Sequence, residues 1–164
     1  MTTDNQEELL IVVDTKDNII DYLPRGQVHQ QKLLHRTISV SVFNDKGQIL
    51  MQKRSMNKDN NPGKIAGAVG GHVSKGEDYK QAAKKELLEE LGIDSDLIFI
   101  KKMILNDPVH KTMTSLYKVI SNGPFKINKE ETDEINFYSK EELGFEKENL
   151  SESAKIVLQE QDLI

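Results

Sequence analysis

Glu86, Glu89 and Glu90 stand at i, i+3 and i+4 in a stretch whose apolar residues recur at helical spacing. Residues on a helix advance by about 100° each, so the three carboxylates leave one face at nearly one level. Like charges so placed repel, and a hard divalent cation with oxygen ligands is their natural companion. Upstream, Gly71 and Gly76 flank a tight loop able to fold Glu77 back toward the cluster. Ala82, Ala83 and Leu87 occupy the opposite face and would anchor the helix to a sheet. The competing reading is a solvated acidic helix in which Lys84 and Lys85 are ordinary ion-pair partners. For the bare glutamate triplet that reading stands ahead, and the fixed glycines and Glu77 reverse the order.

Elements must position these groups. Residues 9–13 and 19–20 read as a hairpin around the polar run 14–18. A short helix fits within 24–34, with Pro24 in its first turn. The β-branched, alternating run 37–43 and the run 48–54 read as strands paired as a hairpin about Asn44-Asp45-Lys46-Gly47. Residues 55–64 form a polar loop around Asn60-Asn61-Pro62-Gly63, and the apolar stretch 65–69 is broken by Gly70-Gly71. A helix is expected over 79–91, stopped by Gly92 at C′. Strands follow at 97–105, 112–120 and 135–138, then a short helix from 140 and an amphipathic one over 151–161. With no repeat and no long linker, residues 1–164 read as a single domain, with 1–35 as an N-terminal hairpin-and-helix extension. The class is α/β in the α+β sense, with helices packed on a mixed sheet.

The bulk numbers narrow the chemistry. Lys and Arg total 22 against 27 Asp and Glu, a formal charge of -5. That argues against binding a nucleic acid polymer, which needs a basic footprint, and leaves room for a small anion held by a few local cations. The chain has no cysteine, so thiol catalysis and cysteine metal sites are excluded. The acidic N-terminus lacks a basic segment followed by an apolar run, and no apolar run nears the roughly 18–20 residues of a membrane span. The expectation is a cytoplasmic protein without a membrane partner. Exposed sheet edges leave a homodimer open.

The segment 71–93 resembles the Nudix box. That pattern is Gly, five residues, Glu, seven residues, Arg-Glu-aliphatic, one residue, Glu-Glu, one residue, Gly-aliphatic. Here it reads Gly71, Glu77, Lys85-Glu86-Leu87, Glu89-Glu90, Gly92-Ile93, so eight of nine specified positions agree without a gap. Lys85 is the departure: the family's Arg helps hold the glutamates through a planar fork that Lys cannot reproduce. The resemblance implies a Nudix α/β/α sandwich with a mixed sheet, the box forming loop-helix-loop. It implies Mg²⁺-dependent hydrolysis (Mn²⁺ as an alternative ion) of a diphosphate linkage in a nucleoside diphosphate derivative or similar small molecule. Glu86, Glu89 and Glu90 would be the metal ligands. Glu86, Glu89, Lys85 and Glu131 are the expected catalytic set, and Glu89, Glu131 or Glu134 would orient or deprotonate the water.

The flanks resemble a branch near the type I isopentenyl-diphosphate isomerases: His35, Gly47, residues 53–58, Pro62-Gly63 and residues 69–72 carry the likeness. By that likeness Arg54 and Lys58 would contact a diphosphate, with Gly71 and His72 completing the substrate-binding set. The isomerases bind a metal through three histidines and two glutamates. His35 and His72 match two of the histidines, and His29 is near the third with its spacing to His35 one residue short. The two glutamates would fall in the strand 111–116, which has no acid, and the catalytic cysteine position is Gly70. The reading is therefore a hydrolase on an isomerase-like frame, with His29 and His35 as surface or hydrogen-bonded residues and His72 lining the site. The alternatives are an isomerase-like protein and a degenerate domain that binds a nucleotide without cutting it.

Overall fold

Alternation along the segment HRTISVSVF lays out the centre of the molecule. Residues 4–58 and 61–164 are described in a computed structural model, so Asp59 and Asn60 of the expected loop lie outside the described residues. The segment forms strand β3 (His35–Phe43). Before it come β1 (Leu9–Val13), β2 (Ile19–Pro24) and the short helix α1 (Arg25–Gln30). After it come β4 (Ile49–Arg54), β5 (Ile65–Gly67), β6 (Val69–His72) and helix α2 (Tyr79–Leu91). Strands β7 (Ile98–Asn106), β8 (Lys111–Ile120) and β9 (Thr132–Tyr138) precede α3 (Lys140–Phe145) and α4 (Glu152–Gln159).

Successive strand residues face opposite sides. Ile38, Val40 and Val42 of β3 enter a core with Ala82, Ala83, Leu87 and Leu91 of α2. Thr37, Ser39 and Ser41 point the other way and line a cleft. β8 runs parallel to β3 from His35↔Thr112 to Phe43↔Ile120, and β6 pairs antiparallel along β3's other edge. The sheet is therefore mixed. Strand β4 shows the same division. Leu50 joins the α2 core, whereas Ile49 and Met51 pack with Leu143, Leu150, Ala154 and Leu158 of the α3–α4 side. Helices thus cover both faces of a curled sheet, the α+β sandwich expected. In the N-terminal hairpin Leu10 and Val12 pack on Val28 of α1, and Ile11 and Val13 enter the central core.

Two local expectations need correction. Strands β3 and β4 touch as a hairpin only at Phe43↔Ile49. Beyond the turn they splay, because β3's edges are taken by β6 and β8 and those of β4 by β5 and β9. Gly70 and Gly71 do not break the apolar stretch; they lie inside β6, paired with Ser39 and Ile38. The interruption falls at Ala68, between β5 and β6. Among the described residues no helix is long and apolar enough to cross a membrane.

Leu158 is 1% exposed in the second core, whereas Phe145 is 81% exposed. Leu158→Ala is expected to lower unfolding free energy by about 2–5 kcal/mol in urea titrations. Phe145→Ala should change it by no more than about 0.5 kcal/mol.

Candidate active site

Helix α2 begins at Asp78, whose carboxylate accepts from the Gln81 backbone N–H at 2.8 Å while the Gln81 side chain accepts from the Asp78 N–H at 2.9 Å. This reciprocal cap fixes where the helix starts. It ends at Gly92, held at φ 68 with its N–H donating to Leu88 O. A left-handed residue here is cheapest as glycine. With both ends set, Glu86 and Glu90 fall beside β6 and Glu89 is exposed. A Cβ on Gly71 would lie 2.5 Å from Cδ of Glu86 and 2.7 Å from its Oε1. Only a glycine at 71 lets that carboxylate sit where it does. The Gly70 N–H donates to Glu90 Oε2 at 3.3 Å.

The loop between β6 and α2 folds Glu77 back. Glu77 Oε2 accepts from the Ser74 N–H at 3.1 Å, and Lys85 Nζ donates to Glu77 Oε1 at 2.7 Å. Lys85 therefore holds Glu77 by a single donor, and the Ser74 N–H holds the second oxygen. Burial works to lower the Lys85 pKa, but Glu77, then Glu86 and Glu89, outweigh it and leave it raised.

The electrostatics fit a divalent cation. Burial first, and then Glu89, push the Glu86 carboxyl up to about 7. Burial and Glu86 push Glu90 well above the carboxylate range, against the opposing Gly70 N–H. Carboxylates so crowded and desolvated are short of positive charge, and hard oxygen donors suit Mg²⁺. Glu86, Glu89 and Glu90 would hold it.

All three line a cleft of about 1170 Å³, as do Gly71, His72, Arg54, Lys58 and Glu131. The expected substrate-binding residues are thus brought to the same cleft as the carboxylates. Lys58 Nζ lies 3.9 Å from Glu131 Oε1. Glu134, the other candidate outside the box, is registered against Lys53, exposed, and does not line the cleft. Glu8 was not foreseen from the sequence. It lines the cleft, accepts from the Ser74 hydroxyl and lies 3.7 Å from Arg25. Its placement depends on the hairpin packing beside residues 71–77, for which no local sequence signal exists.

Of the two expectations for His29 and His35, surface or hydrogen-bonded, the second holds. His35 is 1% exposed. His29, on α1, places Nε2 3.0 Å from Nε2 of His72. Ring nitrogens of His29, His35 and His72 lie within 4.8 Å of one another. His29 reaches the other rings although its spacing to His35 is one residue short. Burial and the neighbouring rings lower the His29 pKa to about 4, and burial lowers those of His35, His72 and His110.

The NUDIX domain family model matches residues 33–161. An uncharacterized Nudix hydrolase of Yersinia pestis is 34% identical over 138 residues, 83% of this chain and 75% of that protein. An isopentenyl-diphosphate Delta-isomerase of Serratia proteamaculans is 38% identical over 91 residues, 56% of this chain and 51% of that protein. A crystal structure from Deinococcus radiodurans superimposes with a TM-score of 0.78 at 20% identity, covering 93% of this chain and 98% of that one, which is a likeness of fold.

Glu86 titrates near 4.5 when unfolded and about 7 when folded. Its protonated form favours folding, so its contribution is full below the lower value and is lost as pH rises through the upper one. The histidines act oppositely below their ordinary range, so the comparison is with Glu86→Gln at each pH. In EDTA the melting temperature of Glu86→Gln should rise relative to wild type between about pH 4.5 and 7, and millimolar Mg²⁺ should close the gap. An unchanged difference across that window would contradict this electrostatic account. Gly71→Ala should displace Glu86 and lower kcat/KM about 100-fold while the fold persists by circular dichroism.

Proposed function

The chain belongs to the Nudix family and is a hydrolase, and on that premise we propose that it cleaves, with Mg²⁺, a diphosphate linkage in a nucleoside diphosphate derivative or a similar small molecule. One observation carries the reading: Glu86 and Glu90 meet a strand at Gly71 and Gly70, and Glu89 of the same helix turn lines the cleft that Arg54 and Lys58 also line.

A bound Mg²⁺ would act as a Lewis acid on phosphate oxygens and lower the pKa of a coordinated water. The chain's own groups do the rest. Arg54 and Lys58 bring positive charge to the cleft, suited to holding phosphate oxygens. Lys85, through Glu77, keeps the loop before α2 folded back over the helix start. Glu89 or Glu131, both lining the cleft, would take the proton of an attacking water. Glu89 is the exposed member of the triplet, and Glu131 lies 3.9 Å from the Lys58 ammonium.

The histidine trio favours the isomerase reading, but Gly70 at the cysteine position and Thr112 and Thr114 on the acid-bearing strand withhold its acid and its carboxylates. A screen of nucleoside diphosphate derivatives, dinucleoside polyphosphates and isopentenyl diphosphate, with Mg²⁺ and with EDTA, tests the assignment. EDTA-sensitive phosphate-ester release is expected, with Glu89→Gln lowering kcat at least about 100-fold. Isomerisation without cleavage, or binding without turnover at any Mg²⁺ or Mn²⁺ level, would overturn it.

A further inference from the structure

An arginine presents a planar fork that can hold both oxygens of one carboxylate, whereas an ammonium is a point charge. At residue 85 this chain has the ammonium. Lys85 Nζ reaches Glu77 Oε1 at 2.7 Å, and Glu77 Oε2 is held by the Ser74 N–H at 3.1 Å. The hold on Glu77 is therefore only as firm as the placement of Ser74. The Glu77 N–H donates to the Ser74 carbonyl at 3.0 Å, closing a turn in which Gly76 takes φ 92. A local turn sets the shape of the loop, and contacts from outside set where it lies.

Those contacts come from the N-terminal hairpin. The Glu8 carboxylate accepts from the Ser74 hydroxyl. Beside it, the Lys75 N–H donates to the Leu9 carbonyl at 2.9 Å, and Leu10 and Ser74 form an antiparallel bridge. Glu8 is itself fixed from α1. Its backbone carbonyl accepts from the Arg25 N–H at 2.8 Å, and its other carboxylate oxygen lies 3.7 Å from the Arg25 guanidinium. That guanidinium pairs with Asp4 at 3.0 Å. A hydroxyl donating to an ionised carboxylate makes a bond roughly twice as strong as a neutral one. Residue 8 precedes residue 33, where the family match begins.

We propose that Glu8 is a positioning residue of the carboxylate site: through Ser74 it holds Glu77, and with it Lys85 and the adjoining turn of α2, in the setting that an arginine at 85 would secure from within the helix. The N-terminal hairpin is then a working part of the site, and it makes up for the lysine. This role rests on the reading of Glu86, Glu89 and Glu90 as ligands of Mg²⁺. Glu8 acts at one remove, since Ser74 and Glu77 stand between it and Lys85. Partners that orient metal ligands from outside are worth about 10–100-fold in metal affinity or activity.

The test titrates Mg²⁺ alone into the full chain by calorimetry. Glu8→Ala and Ser74→Ala should each weaken Mg²⁺ binding about tenfold. The double variant should lose no more than either alone, because the two remove one link. Glu8→Gln keeps an acceptor for the hydroxyl and should recover most of the affinity. In a Lys85→Arg chain, Glu8→Ala should cost less than about threefold, because the fork supplies the second hold. Ile20→Ser, on the same hairpin at a residue 64% exposed, should leave the affinity unchanged. Melting curves in EDTA check that each variant folds, and Ser74→Ala, on the loop, carries the measurement if Glu8→Ala does not. Wild-type Mg²⁺ affinity in Glu8→Ala and Ser74→Ala, with only the melting temperature lowered, would reduce the contact to a structural one and overturn the proposal. Additive losses in the double variant, or equal losses with Lys85 and with Lys85→Arg, would overturn it too. With the diphosphate cleaved fastest in the screen, Glu8→Ala should lower kcat about tenfold and leave KM within about twofold. The Mg²⁺ titration needs no turnover, so failure of the hydrolase reading would appear separately.

Discussion

The side chain of Glu86 occupies the volume in which any residue other than glycine at 71 would place its Cβ. Much of the fold serves that one close approach. The strand must be bare where Glu86 meets it, so a glycine stands at 71, paired with Ile38 inside the sheet. The helix must arrive in one rotational setting, so a reciprocal cap fixes its first turn and a left-handed glycine its last. Ala82 and Ala83, both fully buried, let α2 lie close on the sheet, and Leu87 and Leu91 hold its rotation. The crowding leaves the carboxylates under-compensated, which is the property a cation site needs.

Strand β3 makes the second division of labour. One side of it is a dry aliphatic core, and the other is a hydroxyl-lined wall ending at His35. Because β8 runs alongside in parallel register, its Thr112 and Thr114 stand beside His35 and Thr37. The polar wall thus extends across two strands. One period-two pattern therefore builds the core and the cleft together, and a one-residue slip would exchange them.

Legibility followed the range of the interactions. Helix α2 runs over the residues expected, because its cap, apolar face and terminal glycine are all local signals. The Nudix resemblance and the α+β class were readable from the box and from the alternation of strands and helices, and the family match bears them out. Glu77 folding back was readable from its flanking glycines. Pairing partners were not. β3 and β4 look like a hairpin from the turn between them, yet non-local partners claim their edges. The histidine corner was legible in part: the likeness to the isomerases singled out His29, His35 and His72, whereas His110 was missed. Spacing along the chain placed His29 one residue short, yet its Nε2 lies 3.0 Å from that of His72. Nothing near His110 in the sequence pointed to a ring contact with His29.

The parallel pairing of β3 with β8 joins residues 77 positions apart, as Thr37 and Thr114 illustrate. A chain growing from its N-terminus completes β3, β6 and the whole acidic helix before the first residue of β8 exists. For that interval β3 has an open edge beside an aliphatic face, the kind of surface that pairs with other chains. Loop closure of that span comes before the contacts that reward it, which makes assembly of this sheet slower than its helices. During synthesis, the acidic cluster and its bare strand precede the threonine wall opposite, and the cleft is complete only when the second half of the chain returns.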